Sequence, residues 1–532
     1  MHVHRPLAAI SAIVLTAAGL LAFGQQAKAA TVPVAGTGTA TAHSVTVRSS
    51  TVLAAATPNP VLGKSGKPAG PAGLAQNSSA STRQAPPPTR GQPDGPNTAS
   101  AAASVRAAIE PTGLSDSSFT GATEGSSSCS SCAAPYVTAA VSSTQIAETV
   151  NLSLQVFSKS GTAQCSESLS NLLGAIGGLT EPRIQYDNAA ERYSLVIAST
   201  PSTSSDVPVF YLATSQADNA CGAWWVYQII LSGNQYPLGA QLNYPYLGQD
   251  STSLLASTNN FTFGSSYLGT GAFAMPKAVA YAGNSFNITT YSVDFSTAPA
   301  VVAGIPTEST TTTYWVAAVP GTGYDVFSMP TRTAGAITFV GTVRAPFDPP
   351  SRNVRQPGTS DTLNPLDGRI QSAVVQDGND VWFTNDVDDD GYPTVQYGVI
   401  DGTNGDIEDA LAYHGGGSDD FNPSIGVSPQ GSNTDAIWLN WAYTVPSAGV
   451  PVSVTVNGVA PGAAVHNLVG SDLTLVTGVS ATSISAFGAY SSVEVDPSGT
   501  SGCPAGLTAL SAQEYFSSAS QWATRLAETT FC

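Results

Sequence analysis

Short apolar runs broken by turn residues fill the chain from about Ala133 to its end. Tyr193–Ala198 (YSLVIA), Val207–Ala213 (VPVFYLA), Tyr314–Val319 (YWVAAV) and Ala436–Tyr443 (AIWLNWAY) are representative, and clusters of Gly, Asp, Asn, Ser and Pro separate them. Such runs, rich in β-branched and aromatic side chains, predict strands. No long segment repeats its apolar positions with a helical period, so the expectation is all-β. The region is too long for one simple sandwich, which directs attention to internal repeats.

One unit does recur: a strand, a short turn with Asp, Asn or Gly, and a second apolar strand. Its copies are Glu181–Ala198, Tyr244–Ala256, Gly368–Phe383, Asn422–Asn440 and Ala489–Phe516, anchored at Pro182, Pro245, Arg369, Pro423 and Tyr490. Further anchors at Pro135 and Pro306 complete a series spaced by 47, 63, 61, 63, 54 and 67 residues. Each interval holds four strands and their loops. Units of this size arranged around a channel make a β-propeller, here expected to have about seven blades within a range of six to eight.

The first 130 residues have another texture. Residues 6–23 are almost wholly apolar, and Ala27-Lys28-Ala29 follows as a small-x-small site. That combination predicts a secretory signal peptide over residues 1–29 rather than an uncleaved anchor. No cysteine follows the apolar run for lipid attachment, and no second run of spanning length occurs. Release outside the cell, with no membrane association after cleavage, is the expectation. Residues 30–130 are rich in Ala, Ser, Thr, Gly and Pro and read as a disordered low-complexity spacer. The propeller domain is then residues 131–532.

Charge sharpens this division. The whole chain carries 18 Lys+Arg against 36 Asp+Glu, and residues 131–532 hold ten and 32 of them, a balance of −22. Such a domain repels phosphate backbones, which argues against nucleic acid as a partner. The six cysteines suggest disulfides in an exported protein. The favoured pairs are Cys503–Cys532, Cys165–Cys221 and a tight Cys129–Cys132 loop, the last in a CxxC spacing with no histidine nearby to make it a metal site.

Several stretches carry a resemblance. Val137–Ser158, Glu181–Tyr193, Asn243–Phe261, Gln356–Arg369, Phe487–Pro497 and Gln513–Arg525 resemble, in order and spacing, a family of uncharacterised secreted bacterial β-propeller proteins. The resemblance spans nearly all of residues 134–530 and implies a fold, distantly sialidase-like in architecture, but no settled activity. One departure is Ala489, where the family pattern near the end resembles aromatic-Gly-Asp-Tyr-Ser.

In a propeller the start of each inner strand faces the channel mouth, the usual ligand face by fold-level analogy. Glu181, Arg183, Tyr244, Arg369, Asn422 and Tyr490 are placed there, and the adjoining loops add Arg355, Asp361, His414, Asp419 and Asp420. The functional reading is a polar pocket mixing arginine and carboxylates, in which arginine suits planar anionic groups because its fork binds them bidentately; the alternative is that these residues cap strands and tie blades together. Asp386, Asp388 and Asp390, followed by Gly391, match the opening of a calcium loop, so calcium is the one cofactor the sequence raises. The twelfth position is Tyr397 rather than Glu, which excludes a helix-loop-helix hand, and a solvated acidic hairpin is the competing reading.

Catalytic signatures are otherwise missing. There is no G-x-S-x-G, no H-E-x-x-H, and no Ser-x-Asp-x-Gly-x-x-Trp box of sialidase type. The first expectation is therefore a secreted monomeric module that binds a glycan or protein at the cell envelope or beyond. The rival is an extracellular hydrolase of the glycosidase class, using carboxylates at the channel mouth.

Overall fold

The computed structural model describes residues 36–46, 114–127 and 135–532, apart from 176, 303–310, 332–335, 430–435, 485–486, 488 and 501. The expected signal peptide, most of the spacer and the Cys129–Cys132 pair lie outside these residues.

The short apolar runs fold as strands, and the described strands gather into seven antiparallel four-stranded blades. Blade 1 is Thr138–Val141, Gln145–Val150, Ser153–Ser158 and Ala163–Ser168. Blade 2 is Gly178–Asp187, Arg192–Thr200, Val209–Ser215 and Ala223–Gly233. Blade 3 is Gln241–Gln249, Ser253–Phe261, Tyr267–Pro276 and Phe286–Val293. Blade 4 is Ala298–Val302, Thr312–Val319, Gly323–Pro330 and Thr338–Val343. Blade 5 is Val374–Asp377, Asp380–Asp389, Tyr392–Asp401 and Ile407–Ala412. Blade 6 is Asp419–Val427, Ile437–Val445, Val450–Val459 and Leu473–Val476. Blade 7 is Ser492–Val495, Thr508–Ser518, Gln521–Thr530 and, as its outer strand, Ser115–Thr123 from the other end of the chain. The protein is a seven-bladed β-propeller whose last blade is closed by its N-terminal side.

Packing explains the stability of this ring. Each blade is apolar on both faces, so its side chains fill the wedge against the next blade. Leu154, Val156, Tyr193, Leu195 and Trp224 form one such wedge between blades 1 and 2. Phe210, Tyr227, Leu254 and Phe273 form another between blades 2 and 3. Near the axis, the inner strands of blades 3, 4 and 5 touch in parallel at Gln249–Val301 and over Ala300–Val302 against Val374–Gln376. An additional strand, Gly36–Thr46, runs along the outer strands of blades 2 and 3.

Two expectations need correction. The propeller does not begin at residue 131, because Ser115–Thr123 pairs with Gln521–Thr530. That strand is mostly Ser, Thr and Gly and was unrecognisable as core; it is an edge strand that buries chiefly Ala122 and packs Phe119 on Phe157. The fourth unit begins at Ala298, before the anchor assigned at Pro306, which lies outside the described residues.

Two disulfides form as expected. Cys165–Cys221 links the outer strand of blade 1 to the loop before the outer strand of blade 2, with Cα atoms 5.9 Å apart. Cys503–Cys532 fastens the chain end onto blade 7, with Cα atoms 5.6 Å apart. No described helix is long and apolar enough to cross a membrane.

Candidate functional site at the strand-start face

A single backbone device organises this face. In six blades a residue with positive φ stands two positions before a residue that pairs with the blade's second strand: Tyr136 (52°), Glu181 (62°), Tyr244 (51°), Ser296 (52°), Gly368 (79°) and Asn422 (58°). Tyr490 holds the same place in blade 7, two residues before Ser492. In blades 2, 3 and 6 the next residue is proline and the strand register shifts there, which is a β-bulge. Left-handed geometry at a non-glycine residue costs on the order of 1–3 kcal/mol and persists only where its surroundings impose it. Here it sets Glu181, Tyr244, Asn422 and Tyr136 around Tyr490.

Those residues form a sealed inner layer. The Glu181 carboxylate accepts the Tyr244 backbone N–H and, at 3.1 Å, the Tyr490 hydroxyl. Arg183 lies over the Tyr490 ring, 3.6 Å from its centroid. Its Nε and Nη2 donate to the carbonyls of Pro245 (3.2 Å) and Gln371 (2.8 Å). Asn422 donates to the Tyr490 carbonyl (3.1 Å) and to Gln513 Oε1 (3.0 Å). Asp386 accepts the Asn422 N–H (3.1 Å) and Gln371 Nε2 (2.8 Å). Leu366 covers this layer, packed with Tyr136, Tyr490 and Tyr244. It belongs to the long segment from Arg344 to Ala373 that joins blades 4 and 5 and carries the hairpin Val354–Arg355 with Thr362–Leu363.

Burial dominates the electrostatics of this layer. Glu181, Tyr490, Asn422 and Asp386 have no exposed surface. Burial pushes the Glu181 carboxyl up, although the donors from Tyr244 and Tyr490 and the charges of Arg183 and Arg369 oppose it. It pushes Asp386 well above the usual carboxylate range. It also raises the Tyr490 hydroxyl well above that of a free tyrosine, with the Glu181 charge acting in the same direction.

An open outer layer sits beside it. Arg369 grips Asp367 with two hydrogen bonds, Nε to Oδ1 at 2.6 Å and Nη2 to Oδ2 at 2.7 Å. The guanidinium is held between aromatic rings, 4.4 Å from the Tyr244 centroid and 4.7 Å from that of Phe295. Burial opposes ionisation of both partners, and the ion pair outweighs it, drawing Asp367 below and Arg369 above their ordinary values. Arg369 is buried, whereas the Asp367 side chain keeps 41% of its surface. Phe295 meets the Tyr267 ring edge-on at 5.4 Å, and Tyr267 is 47% exposed. Phe263, also exposed, lies on the same hairpin between the second and third strands of blade 3.

The remaining predicted site residues go elsewhere. Asp419 and Asp420 are fully buried rather than open at a channel mouth. Asp419 accepts Arg355 Nε (3.0 Å), Arg355 Nη2 (2.8 Å) and Arg352 Nη2 (3.1 Å), which fastens the blade 4–5 segment to blade 6. Asp420 accepts the His414 N–H (2.8 Å), Trp441 Nε1 (3.0 Å) and Ser418 Oγ (2.5 Å). Their donors come from the chain itself, so both act as anchors. The three acids of the expected calcium loop also diverge. Asp386 turns inward to Asn422, Asp388 accepts the N–H groups of Gly391 (2.8 Å) and Ser351 (3.0 Å), and Asp390 takes a left-handed turn position at φ 52°. Among the described residues no three His, Cys, Asp or Glu side chains group as a metal site would need.

Asp367, Phe295, Tyr267 and Tyr136 were missed in the sequence. Asp367 stands two residues before Arg369, and that acid-Gly-Arg spacing was the available signal. Phe295 is one residue before Ser296, whose left-handed position carries no proline to mark it.

No protein-family model and no curated protein sequence matches the chain. Solved structures do resemble it. A subtype N10 neuraminidase-like protein of A/little yellow-shouldered bat/Guatemala is 8% identical over 65% of this chain and 98% of its own, with a TM-score of 0.37. A mutant Trypanosoma rangeli sialidase displaying trans-sialidase activity is 10% identical over 70% of this chain and 56% of its own, at 0.35. An exo-β-1,3-galactanase from Phanerochaete chrysosporium is 9% identical over 78% of this chain and 96% of its own, at 0.28. Likeness at this level says nothing about chemistry, and the propeller assignment rests on the strand pairing above.

Proposed function

We propose that the chain is a secreted binding module that takes a glycan on the strand-start face, through Asp367, Arg369, Tyr244, Phe295 and Tyr267. The supporting observation is the contrast between two neighbouring polar pairs. The Glu181–Tyr490 pair is sealed under Leu366, while the Asp367–Arg369 pair meets solvent beside an exposed aromatic ring. A carboxylate fixed by a bidentate arginine accepts hydroxyl protons in a set direction. Aromatic rings next to it give the apolar face that sugar rings need, and concave sites of mixed apolar and polar lining are the usual ligand sites. The net charge of −22 over residues 131–532 favours a neutral or amine-bearing glycan over an anionic one. Secretion is supported by the leader pattern and by two disulfides, which persist in oxidising compartments.

The hydrolase reading draws on Tyr490, Glu181 and Arg183, which do stand together. It requires the blade 4–5 segment to leave, because neither the hydroxyl nor the carboxyl has an exposed atom face in this state. Glycan-array screening of the purified full chain, followed by calorimetry with the best neutral oligosaccharide, tests the binding reading. Asp367→Asn and Tyr267→Ala are expected to weaken binding at least about tenfold, the loss of roughly one charge-assisted contact, without lowering the melting temperature. Unchanged affinity in both variants would sink it, and binding confined to protein ligands would replace the glycan. Turnover of labelled glycosides that disappears in Tyr490→Phe would establish the hydrolase instead.

A further inference from the structure

The seven inner strands enclose an axial cavity of about 180 Å³. Its closed end is Arg183, which is 5% exposed and shuts the channel beneath the Tyr490 ring. Its other end reaches the opposite face of the propeller beside Asn188, which is exposed. Leu247, Val301, Val427 and Val493 contribute to a mainly apolar wall.

Arg183 is the unusual group here. Its Nε and Nη2 bind two backbone carbonyls, and among the described residues no carboxylate lies within ion-pair distance of the guanidinium. Buried charges are ordinarily paired, because an isolated one loses its hydration without compensation. Glu181 is too far for a direct pair, and burial pushes its carboxyl toward the neutral form. Two other residues on the cavity wall, Gln185 and Ser372, each keep a buried side-chain oxygen without a partner. Glu494 also lines the cavity, but its oxygens accept the N–H groups of Tyr186 (3.0 Å) and Val141 (3.2 Å). Burial raises that carboxyl well above its usual range, against the two N–H donors, and both its oxygens are turned to those donors. Asp187, at the outer end, is paired with Lys277 at 2.6 Å.

We propose that this cavity binds a small monocarboxylic acid, with its carboxylate on Arg183 and its apolar part along the axis. The volume suits the size: a cavity of about 150 Å³ accommodates a benzene ring. The site lies on the opposite side of Arg183 from the glycan face, so the two stand or fall separately.

The test is calorimetry on the full chain with benzoate and its neutral analogue benzamide. Benzoate is expected to bind at least about tenfold more tightly than benzamide, the ratio that one charge-assisted contact supplies. Arg183→Gln is expected to remove that preference. Since Arg183 also packs on Tyr490, Ala373→Leu provides a second variant, which fills the cavity while leaving the guanidinium in place. It should abolish binding with an unchanged melting temperature, and Asp367→Asn should bind benzoate like the wild type. Absence of benzoate binding in the millimolar range, equal affinity for benzamide, or undiminished binding by Ala373→Leu would each overturn the proposal.

Discussion

Glu148→Gln tests how the ring is closed. Glu148, in the second strand of blade 1, reaches the strand Ser115–Thr123 that completes blade 7, and its Oε2 accepts the Ala122 N–H at 2.7 Å. The junction is tight: a Cβ at Gly121 would stand 2.6 Å and 2.9 Å from the two carboxylate oxygens and 2.6 Å from the Thr524 hydroxyl. Glu148 has no exposed surface. Burial raises its pKa from 4.5 to about 7, with the donors from Thr524 and Ala122 opposing the shift. At 1.36 kcal/mol per unit, that difference is worth about 3 kcal/mol. The sign follows from proton binding. Below the unfolded value both states are protonated and the stabilisation is complete. As pH rises through the folded value, the unfolded state has already released a proton that the native state retains, so stability falls. Glutamine cannot ionise and its Oε1 still accepts the Ala122 N–H. Glu181, Asp386 and Glu494 are pushed up as well, so the wild type alone would not isolate Glu148. The difference between variant and wild type does. Urea unfolding followed by tryptophan fluorescence should show the variant gaining about 3 kcal/mol on the wild type between roughly pH 4 and pH 8. A flat difference across that range would refute the reasoning.

Other expectations concern the parts around the junction. Breaking Cys165–Cys221 by serine substitution should cost about 4 kcal/mol, and Cys503–Cys532 somewhat less, because they close loops separated by 56 and 29 residues; denaturant titration of each variant measures this order. Asp187→Ala should destabilise by about 3–5 kcal/mol, since it leaves the buried Lys277 ammonium without its partner; Asp187→Ala with Lys277→Met should recover most of that loss. Adding calcium or a chelator should leave the melting temperature unchanged, because Asp386, Asp388 and Asp390 do not converge; an upward shift with calcium would show that a native-state site exists after all.

The blades were legible because most carry a strongly apolar second strand, such as Arg192–Thr200, Thr312–Val319 and Ile437–Val445. Pro182, Pro245, Arg369 and Pro423 all stand one residue after the left-handed position, so the repeat is anchored on that turn. It failed in blade 4, where Ser296-Thr297 replaces the X-Pro signal. It failed again at Ser115–Thr123, whose pairing partner lies some 400 residues away and whose side chains are mostly small and polar. The polar centre was legible to the same degree: Glu181, Arg183, Tyr244, Arg369, Asn422 and Tyr490 do come together. Their accessibility was not, because the segment that covers them, around Leu366, is an irregular connection with no periodic signature. Asp419 and Asp420 misled for a related reason. A buried acid and an open one look alike in sequence until the donors around them, here Arg352, Arg355 and Trp441, are placed.

These two outcomes bear on each other. Bringing several polar residues to one axis through left-handed turns is costly, and a strand-capping role alone would not require their side chains to meet. Part of the return is structural: Glu181, Asn422 and Gln513 tie blades 2, 6 and 7 through Tyr490. The rest lies in what this layer holds in position. Tyr244 belongs to both layers, since its N–H fixes Glu181 while its ring supports Arg369, and Arg369 orients Asp367 toward solvent. A rigid buried network beneath an exposed ion pair fixes that pair's direction before any ligand arrives, which lowers the ordering cost of binding. The same rigidity works against hydrolysis at Tyr490, whose hydroxyl is covered and engaged by Glu181. The centre of this propeller therefore acts as a support, and the proposed binding face stands at its edge.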